Sequence, residues 1–169
     1  MTRNRFDQIL SILHFCENSA NRDDKTAKIK PVLNHFNKKF QENAANETYQ
    51  AINEMMIAFK GRHSLKVYMP KKPTKWGYKL WCRAGVSGYV YQFELSGGLL
   101  RGPTLGIQIN YEPKEAACVV LRLTDQLESG KHKIFFDNLF GTPELLTYLK
   151  TRGIFAVSTL RNDRTRYLL

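Results

Sequence analysis

The rhythm of apolar positions changes near residue 49. Before it, Phe6, Ile9, Leu10 and Leu13 fall on one side of a segment near 3–15, which predicts an amphipathic helix. A polar break over 17–28 follows. Pro31 suits the first turn of a second helix, and Leu33, Phe36 and Phe40 continue it as an apolar stripe. The stretch 43–48, Asn-Ala-Ala-Asn-Glu-Thr, reads as a linker.

From Tyr49 the pattern is that of strands. Residues 51–59 are apolar on both sides apart from Asn53 and Glu54, as in a buried central strand. The stretches 65–69, 77–83 and 86–95 are rich in strand formers, and Ser87-Gly88 or Ala84-Gly85 could turn the last two into a hairpin. A Gly/Pro-rich segment over 96–106 closes this block. Pro113 then opens a helix with Ala116, Val119, Val120, Leu123 and Leu127 on one face and Gly130 at its end. A strand over 133–137 leads to a helix start in which Thr142 caps, Pro143 takes the first turn and Glu144 meets the positive end of the dipole. Gly153 stops that helix, and 154–159 is a last strand. There is no internal repeat. The order β-β-β-α-β-α-β after the helices indicates an α/β fold with a mixed sheet, later strands parallel to the first, as in an RNase H-like core.

Composition narrows the partners. The 169 residues are 43% hydrophobic and 24% charged, which fits a packed domain, and no run approaches the ~18 apolar residues a membrane span requires. The first residues lack the apolar core of a secretory signal. Cys16, Cys82 and Cys118 have no metal-ligand spacing, and an odd count fits a reducing compartment. Twenty-six Lys and Arg against fifteen Asp and Glu give a net charge of +11, which favours a polyanionic partner, nucleic acid or an anionic membrane surface.

That charge is concentrated. No Asp or Glu occurs from Met55 to Phe93, where Lys60, Arg62, Lys66, Lys71, Lys72, Lys75, Lys79 and Arg83 alternate with eight aromatic residues. Basic groups neutralise phosphates and aromatic faces stack on bases, although aromatic residues are also ordinary strand formers. In the loop 69–77, two prolines are expected to present three lysines on a stiff, extended backbone.

In a sheet of this order, carboxylates in the middle of the first strand and at the end of the fourth face each other and could hold two Mg²⁺ ions for phosphodiester chemistry. Asp137, in Ile-Phe-Phe-Asp-Asn, stands at such a strand end, and a turn or helix-capping aspartate is the alternative reading. His14, His35, His63 and His132 are scattered and accompany no recognisable nucleophile motif, which argues against a hydrolase triad.

Several spaced motifs resemble one family. Ile52-Asn53-Glu54, then Phe59-Lys60-Gly61-Arg62, Tyr68-Met69-Pro70-Lys71-Lys72-Pro73-Thr74-Lys75-Trp76-Gly77, Phe136-Asp137-Asn138-Leu139-Phe140 and Thr159-Leu160-Arg161-Asn162 resemble, in order, blocks of the piggyBac transposases and their domesticated descendants. The resemblance covers nearly the whole chain, including Arg5-Phe6 and Leu13-His14-Phe15. It implies a partial, C-terminally incomplete RNase H-like transposase core over 49–169. Before it, 1–48 would be a helical segment from the dimerisation and DNA-binding region. The family uses three catalytic aspartates with Mg²⁺. The first position is Asn53 here, the second is Asp137, and the third lies beyond Leu169, as does the family's cysteine-rich zinc-binding tail.

An asparagine offers a neutral carbonyl where Mg²⁺ prefers a full charge. Glu54 points to the opposite strand face, and Asp163 reads as a solvated turn residue. The expectation is therefore a nuclear, catalytically disabled transposase domain with no metal or other cofactor. It would bind DNA through phosphate contacts from Lys60, Arg62, Lys66, Lys71, Lys72, Lys75 and Arg161, with a homodimer or protein partner on the N-terminal helices. Two alternatives stay open: a protein-interaction scaffold that has lost DNA contacts, and an active Mg²⁺-dependent transposase or nuclease. With the later helices missing, part of the sheet is also expected to expose apolar surface unless the N-terminal helices or a partner cover it.

Overall fold

The computed structural model describes residues 1–17, 24–97 and 113–164. Helix α1 (Arg3–Ile12) starts at Thr2, whose hydroxyl accepts from the Arg5 amide. It stops short of residue 15 because Leu13 is already extended. Its stripe of Phe6, Ile9 and Leu10 stays exposed, so the amphipathic pattern has no partner among the described residues. Helix α2 (Lys30–Glu42), with Pro31 in its first turn, does find one. Asn37 donates to the Phe93 carbonyl and accepts from the Phe93 amide, both at 2.8 Å, satisfying backbone groups of an edge strand. Phe40 packs beside Phe93 and Tyr89.

Six strands form one mixed sheet: β1 (Tyr49–Ala58), β2 (Val67–Tyr68), β3 (Trp76–Gly85), β4 (Val90–Leu95), β5 (Lys133–Phe136) and β6 (Phe155–Ser158). β1 pairs antiparallel with β3 and parallel with β5, and β5 pairs parallel with β6. β2 and β4 both pair antiparallel with β3. Four strands, not the three of the expected order, precede the first crossover, one for each of the stretches 51–59, 65–69, 77–83 and 86–95, and the second of them makes only a two-residue ladder. The β3–β4 hairpin turns at Ser87-Gly88, where Gly88 takes φ 85° and the Gly85 amide donates to the Tyr89 carbonyl. Gly77 is needed for a different reason: a methyl group there would overlap the Ile57 carbonyl oxygen on β1.

Helices α3 (Glu115–Thr124) and α4 (Pro143–Thr151) pack on one face of the sheet, and with Ile52, Trp81, Ile134, Phe136 and Phe140 they form the core. α4 starts as the sequence implies, with the Thr142 hydroxyl accepting from the Leu145 amide, and Gly153 follows its end at φ 71°. α3 differs from expectation. Every residue from Ala117 to Thr124 is buried, so the helix is buried all round rather than along one stripe, and it ends at Thr124, before Leu127 and Gly130. Arg122 makes this possible by pairing with Glu94 of β4 through two hydrogen bonds, 2.8 and 2.6 Å.

The other face is only partly covered. α2 shields its β4 side, while Tyr49, Met55 and Ile57 of β1, Phe135 of β5 and Phe155 and Val157 of β6 remain exposed. The expected exposed apolar surface is therefore present, on the face of β1, β5 and β6 turned away from α3 and α4. The Gly/Pro-rich stretch expected at 96–106 lies outside the described residues beyond Gly97, as does part of the polar break over 17–28.

The start of β1 is tied to the hairpin by Glu47. Its carboxylate accepts from the Ser87 hydroxyl at 2.5 Å, the Ser87 amide at 3.3 Å and the Tyr91 hydroxyl at 3.1 Å. The Ser87 hydroxyl above all holds the Glu47 pKa below its usual value. The folded carboxyl therefore releases its proton more readily than the unfolded one. Its contribution to stability is complete above the ordinary glutamate pKa of about 4.3 and fades as pH falls through the lower folded value. Glu47→Gln is expected to lower stability at pH 7 and to match the parent progressively as pH drops below about 4. Urea unfolding across pH checks this, and a pH-independent difference would contradict it.

Candidate functional site

The three parallel strands bring their C-terminal ends to one end of the sheet, the place where open α/β sheets carry ligands. Ile52 pairs with Phe136, the last matched pair of β1 and β5. Asn53 and Asp137 each follow that pair by one residue. Side chains alternate along a strand, and Ala51, Asn53, Phe135 and Asp137 are all exposed. The two positions singled out from sequence thus stand side by side on the open face.

Both are already engaged locally. The Asn53 side-chain oxygen accepts from the Glu54 amide at 2.8 Å. Asp137 Oδ1 accepts from the Leu139 amide at 2.9 Å, and the Asp137 carbonyl accepts from Ser158 Oγ at 3.1 Å. The turn-forming role weighed for Asp137 is real, and it does not remove the exposed carboxylate from the strand end. Glu54 lies on the opposite face, where it pairs with Lys72 at 2.8 Å and its Oε2 is buried without a hydrogen-bond partner. Asp163 is an exposed residue of a 3₁₀ turn, Asn162–Arg164. Among the described residues no three His, Cys, Asp or Glu side chains converge as metal ligands. One carboxylate beside a carboxamide does not fit a pair of Mg²⁺ ions, which take hard oxygen ligands and give up water reluctantly.

The basic residues lie in loops beyond the C-terminal ends of β1 and β6. Lys60 and Arg62 follow β1, Lys66 precedes β2, Lys71, Lys72 and Lys75 sit between β2 and β3, and Arg161 follows β6. Lys60, Arg62, Lys71, Lys75 and Arg161 are exposed. Lys72 departs from the expected set, since its ammonium is committed to Glu54. Lys66 donates to the carbonyls of Lys60 and Gly61, at 3.3 and 3.0 Å, so it braces the loop that displays its neighbours. The lysine loop is not extended as anticipated. The Met69 amide donates to the Lys75 carbonyl at 2.8 Å, closing a hairpin loop in which the prolines restrict the turn.

Two of the basic residues found in sequence serve the interior. Arg83 is 1% exposed and bonds Asn46 Oδ1 at 2.7 Å, Gln50 Oε1 and, at 3.5 Å, Gln92 Oε1. Burial pulls its pKa down to about 10 while Tyr91 opposes the shift, which leaves it charged at neutral pH. Lys79 lies 4.1 Å above the Trp81 ring, and burial lowers its pKa while Glu54 opposes the shift. It lines a cleft of about 380 Å³ with Trp81, Lys114, Glu115, Phe140 and Thr142, on the helix-covered side away from Asn53 and Asp137. All three cysteines are free, and burial pushes the Cys82 thiol up to about 11, an inert strand residue. Sequence reading missed the side-by-side exposure of Tyr68 and Trp76. The available signal was one aromatic residue on either side of a closing loop.

A family model described as Transposase IS4 matches residues 1–167. The chain is 34% identical over 171 residues to PiggyBac transposable element-derived protein 3 of Homo sapiens, covering 96% of this chain and 27% of that protein. It is 32% identical over 168 residues to PiggyBac transposable element-derived protein 2 of Homo sapiens, again covering 96% and 27%. The chain thus spans about a quarter of the length of these relatives. A cryo-electron-microscopy structure of a piggyBac transposase synaptic complex with hairpin DNA shares the fold, with TM-score 0.78 and 22% identity, over 96% of this chain and 34% of that one.

The strand-end geometry makes the missing charge testable. Asn53→Asp places two carboxylates side by side, and this variant is expected to bind Mn²⁺ at least ~10-fold more tightly than the parent, read by paramagnetic broadening or calorimetry. Without metal the two charges repel, so its stability should fall at low ionic strength and recover on adding Mn²⁺. Equal Mn²⁺ affinity in parent and variant would show that the two positions do not share a site.

Proposed function

This chain belongs to the transposase family of piggyBac type, and we propose that it is a DNA-binding unit of that family without strand-cutting chemistry of its own. The observation that carries the reading is the contrast at one end of the sheet. Asn53 and Asp137 together supply a single negative charge, while exposed Lys60, Arg62, Lys71, Lys75 and Arg161 put cations on the loops that follow the C-terminal ends of β1 and β6. A lone carboxylate does not neutralise two divalent cations. Dispersed lysines and arginines need no such precision to hold a polyphosphate, because counterion release rewards charge density rather than exact placement.

Support also comes from the fold neighbour, a transposase solved with hairpin DNA, and from relatives whose names mark them as derived from transposable elements. Contacts of this kind orient a duplex but read little sequence. The compartment that goes with DNA as partner is the nucleus, and no Mg²⁺ or other cofactor enters the proposed activity. No helix among the described residues is long and apolar enough to cross a membrane.

A protein-interaction role is the second reading. Its specific support is the exposed stripe of α1, Phe6, Ile9 and Leu10, and the uncovered parallel half of the sheet. A homodimer or partner seated on α1 is compatible with DNA binding through the basic loops. Loss of all DNA affinity would leave this reading alone.

Duplex DNA titrated across a salt series separates the readings. Affinity is expected to fall linearly in log–log form with a slope of about 0.9 per neutralised phosphate, and Arg62→Ala, Lys71→Ala and Lys75→Ala should each flatten it by about that amount. Lys72→Ala should change it least, because its partner is Glu54. The chain should not nick DNA with Mg²⁺. Mg²⁺-dependent nicking lost in Asp137→Ala would overturn the inactive assignment, and absent binding at low salt would overturn the DNA-binding one.

A further inference from the structure

Resting on the DNA-binding reading, we propose that Tyr68 and Trp76 form a stacking platform for unpaired nucleotides of a DNA strand. The two rings face each other across the β2–β3 ladder, 4.5 Å between centroids and inclined by 36°. They are 51% and 54% exposed, an unusual outlay of aromatic surface for a two-residue edge ladder. Lys66 holds its ammonium 5.1 Å from the Trp76 ring centroid, and the Lys60 and Gly61 carbonyls fix it there. A phosphate adjoining a stacked base would therefore meet a positioned cation.

The location selects the occupant. Trp76, Tyr78, Leu80 and Cys82 alternate onto one face of β3, and Cys82 lies opposite Asn53. The platform consequently shares the open face with Asn53 and Asp137. It stands about six residues further along β1, or ~20 Å at strand rise. No acidic residue occurs between Met55 and Phe93, and Lys60, Arg62, Lys71 and Lys75 on the flanking loops are exposed. A protein or lipid partner would have no need of both flat π-faces and a wholly cationic rim. A nucleotide strand uses both, the rim for its phosphates and the rings for its bases. Bases inside an intact duplex stack on each other and offer no face, so the platform takes unpaired positions only.

A cross-strand aromatic pair also steadies a hairpin, so binding and stability must be read separately. The chain has two tryptophans, and Trp81 is 8% exposed under Lys79, so stacking in solution reports on Trp76. The experiment titrates the full 169-residue chain with a 12-nucleotide oligo(dT) and with a 12-base-pair duplex. It follows tryptophan emission and affinity at one salt concentration. The expected result is quenching by oligo(dT) and little by the duplex. Tyr68→Ala and Trp76→Leu should weaken oligo(dT) binding about 5- to 150-fold, the equivalent of ~1–3 kcal/mol per stacked base, and leave duplex affinity within about twofold. Trp76→Leu keeps apolar bulk in the hairpin, and its circular dichroism and Tm establish that it folds.

Unchanged emission at saturating oligo(dT), with the duplex still bound, would overturn the platform and leave the DNA-binding reading intact. Equal losses for both DNAs in the variants would also overturn it. Binding to neither DNA would overturn both.

Discussion

Everything at the candidate site follows from one long-range contact, the parallel pairing of β1 with β5. β1 belongs to an antiparallel block made by local hairpins, whereas β5 arrives only after a helical crossover, some eighty residues later in the chain. Their pairing seats Ile52 against Phe136 in the core, and that burial sets the register. A slip of one residue would turn the core side chains to solvent and Asn53 into the interior. The neighbouring position of Asn53 and Asp137 is thus fixed by apolar packing on the opposite face. It does not depend on any attraction between the two, so the residue type at position 53 can change without loss of the fold.

The sheet is accordingly two-sided in a strong sense. The face under α3 and α4 holds the core, the largely buried pair Arg122–Glu94 and the half-buried pair Lys72–Glu54. The other holds exposed Tyr49, Phe135, Phe155 and Val157 together with Asn53 and Asp137. Alternation at a period of two forces this division. Glu54, adjacent to Asn53 in sequence, is unavailable to it in space for the same reason that Ile52 is buried.

Much of this was legible in the chain. Helix starts at Pro31 and at Thr142-Pro143, the stop at Gly153 and the turn at Ser87-Gly88 all follow from residue types whose local preferences no tertiary contact opposes. The RNase H-like element order was readable because hairpins and crossovers differ in length and period. Three things were not. α3 looked amphipathic because Arg122 and Thr124 read as polar, yet Arg122 is neutralised by Glu94 and the Thr124 hydroxyl bonds back to the Val120 carbonyl at 2.8 Å. Lys72 looked like its neighbours in the lysine loop, and only the fold brings Glu54 beneath it. Arg83 read only as one more cation of the stretch without acidic residues, and only the fold surrounds it with Asn46, Gln50 and Gln92. For Lys72, Arg83 and Arg122 the deciding partners come from other parts of the chain, which local pattern does not show.

The same distinction orders the site. Residues with a distant partner are held, and their charge is spent inside the structure. Lys60, Arg62, Lys71, Lys75 and Arg161 sit in loops at the end of the sheet, and no ion pair of theirs is found among the described residues. Self-repulsion among cations so gathered opposes folding, and a bound polyanion relieves it. Loops that carry such charge at the strand ends of a rigid sheet can change their ligand contacts without disturbing the core, whereas a two-metal centre tolerates neither a missing charge nor a displaced oxygen. On the proposed reading, the demanding function is the one given up at Asn53, and the undemanding one persists in the loops around it.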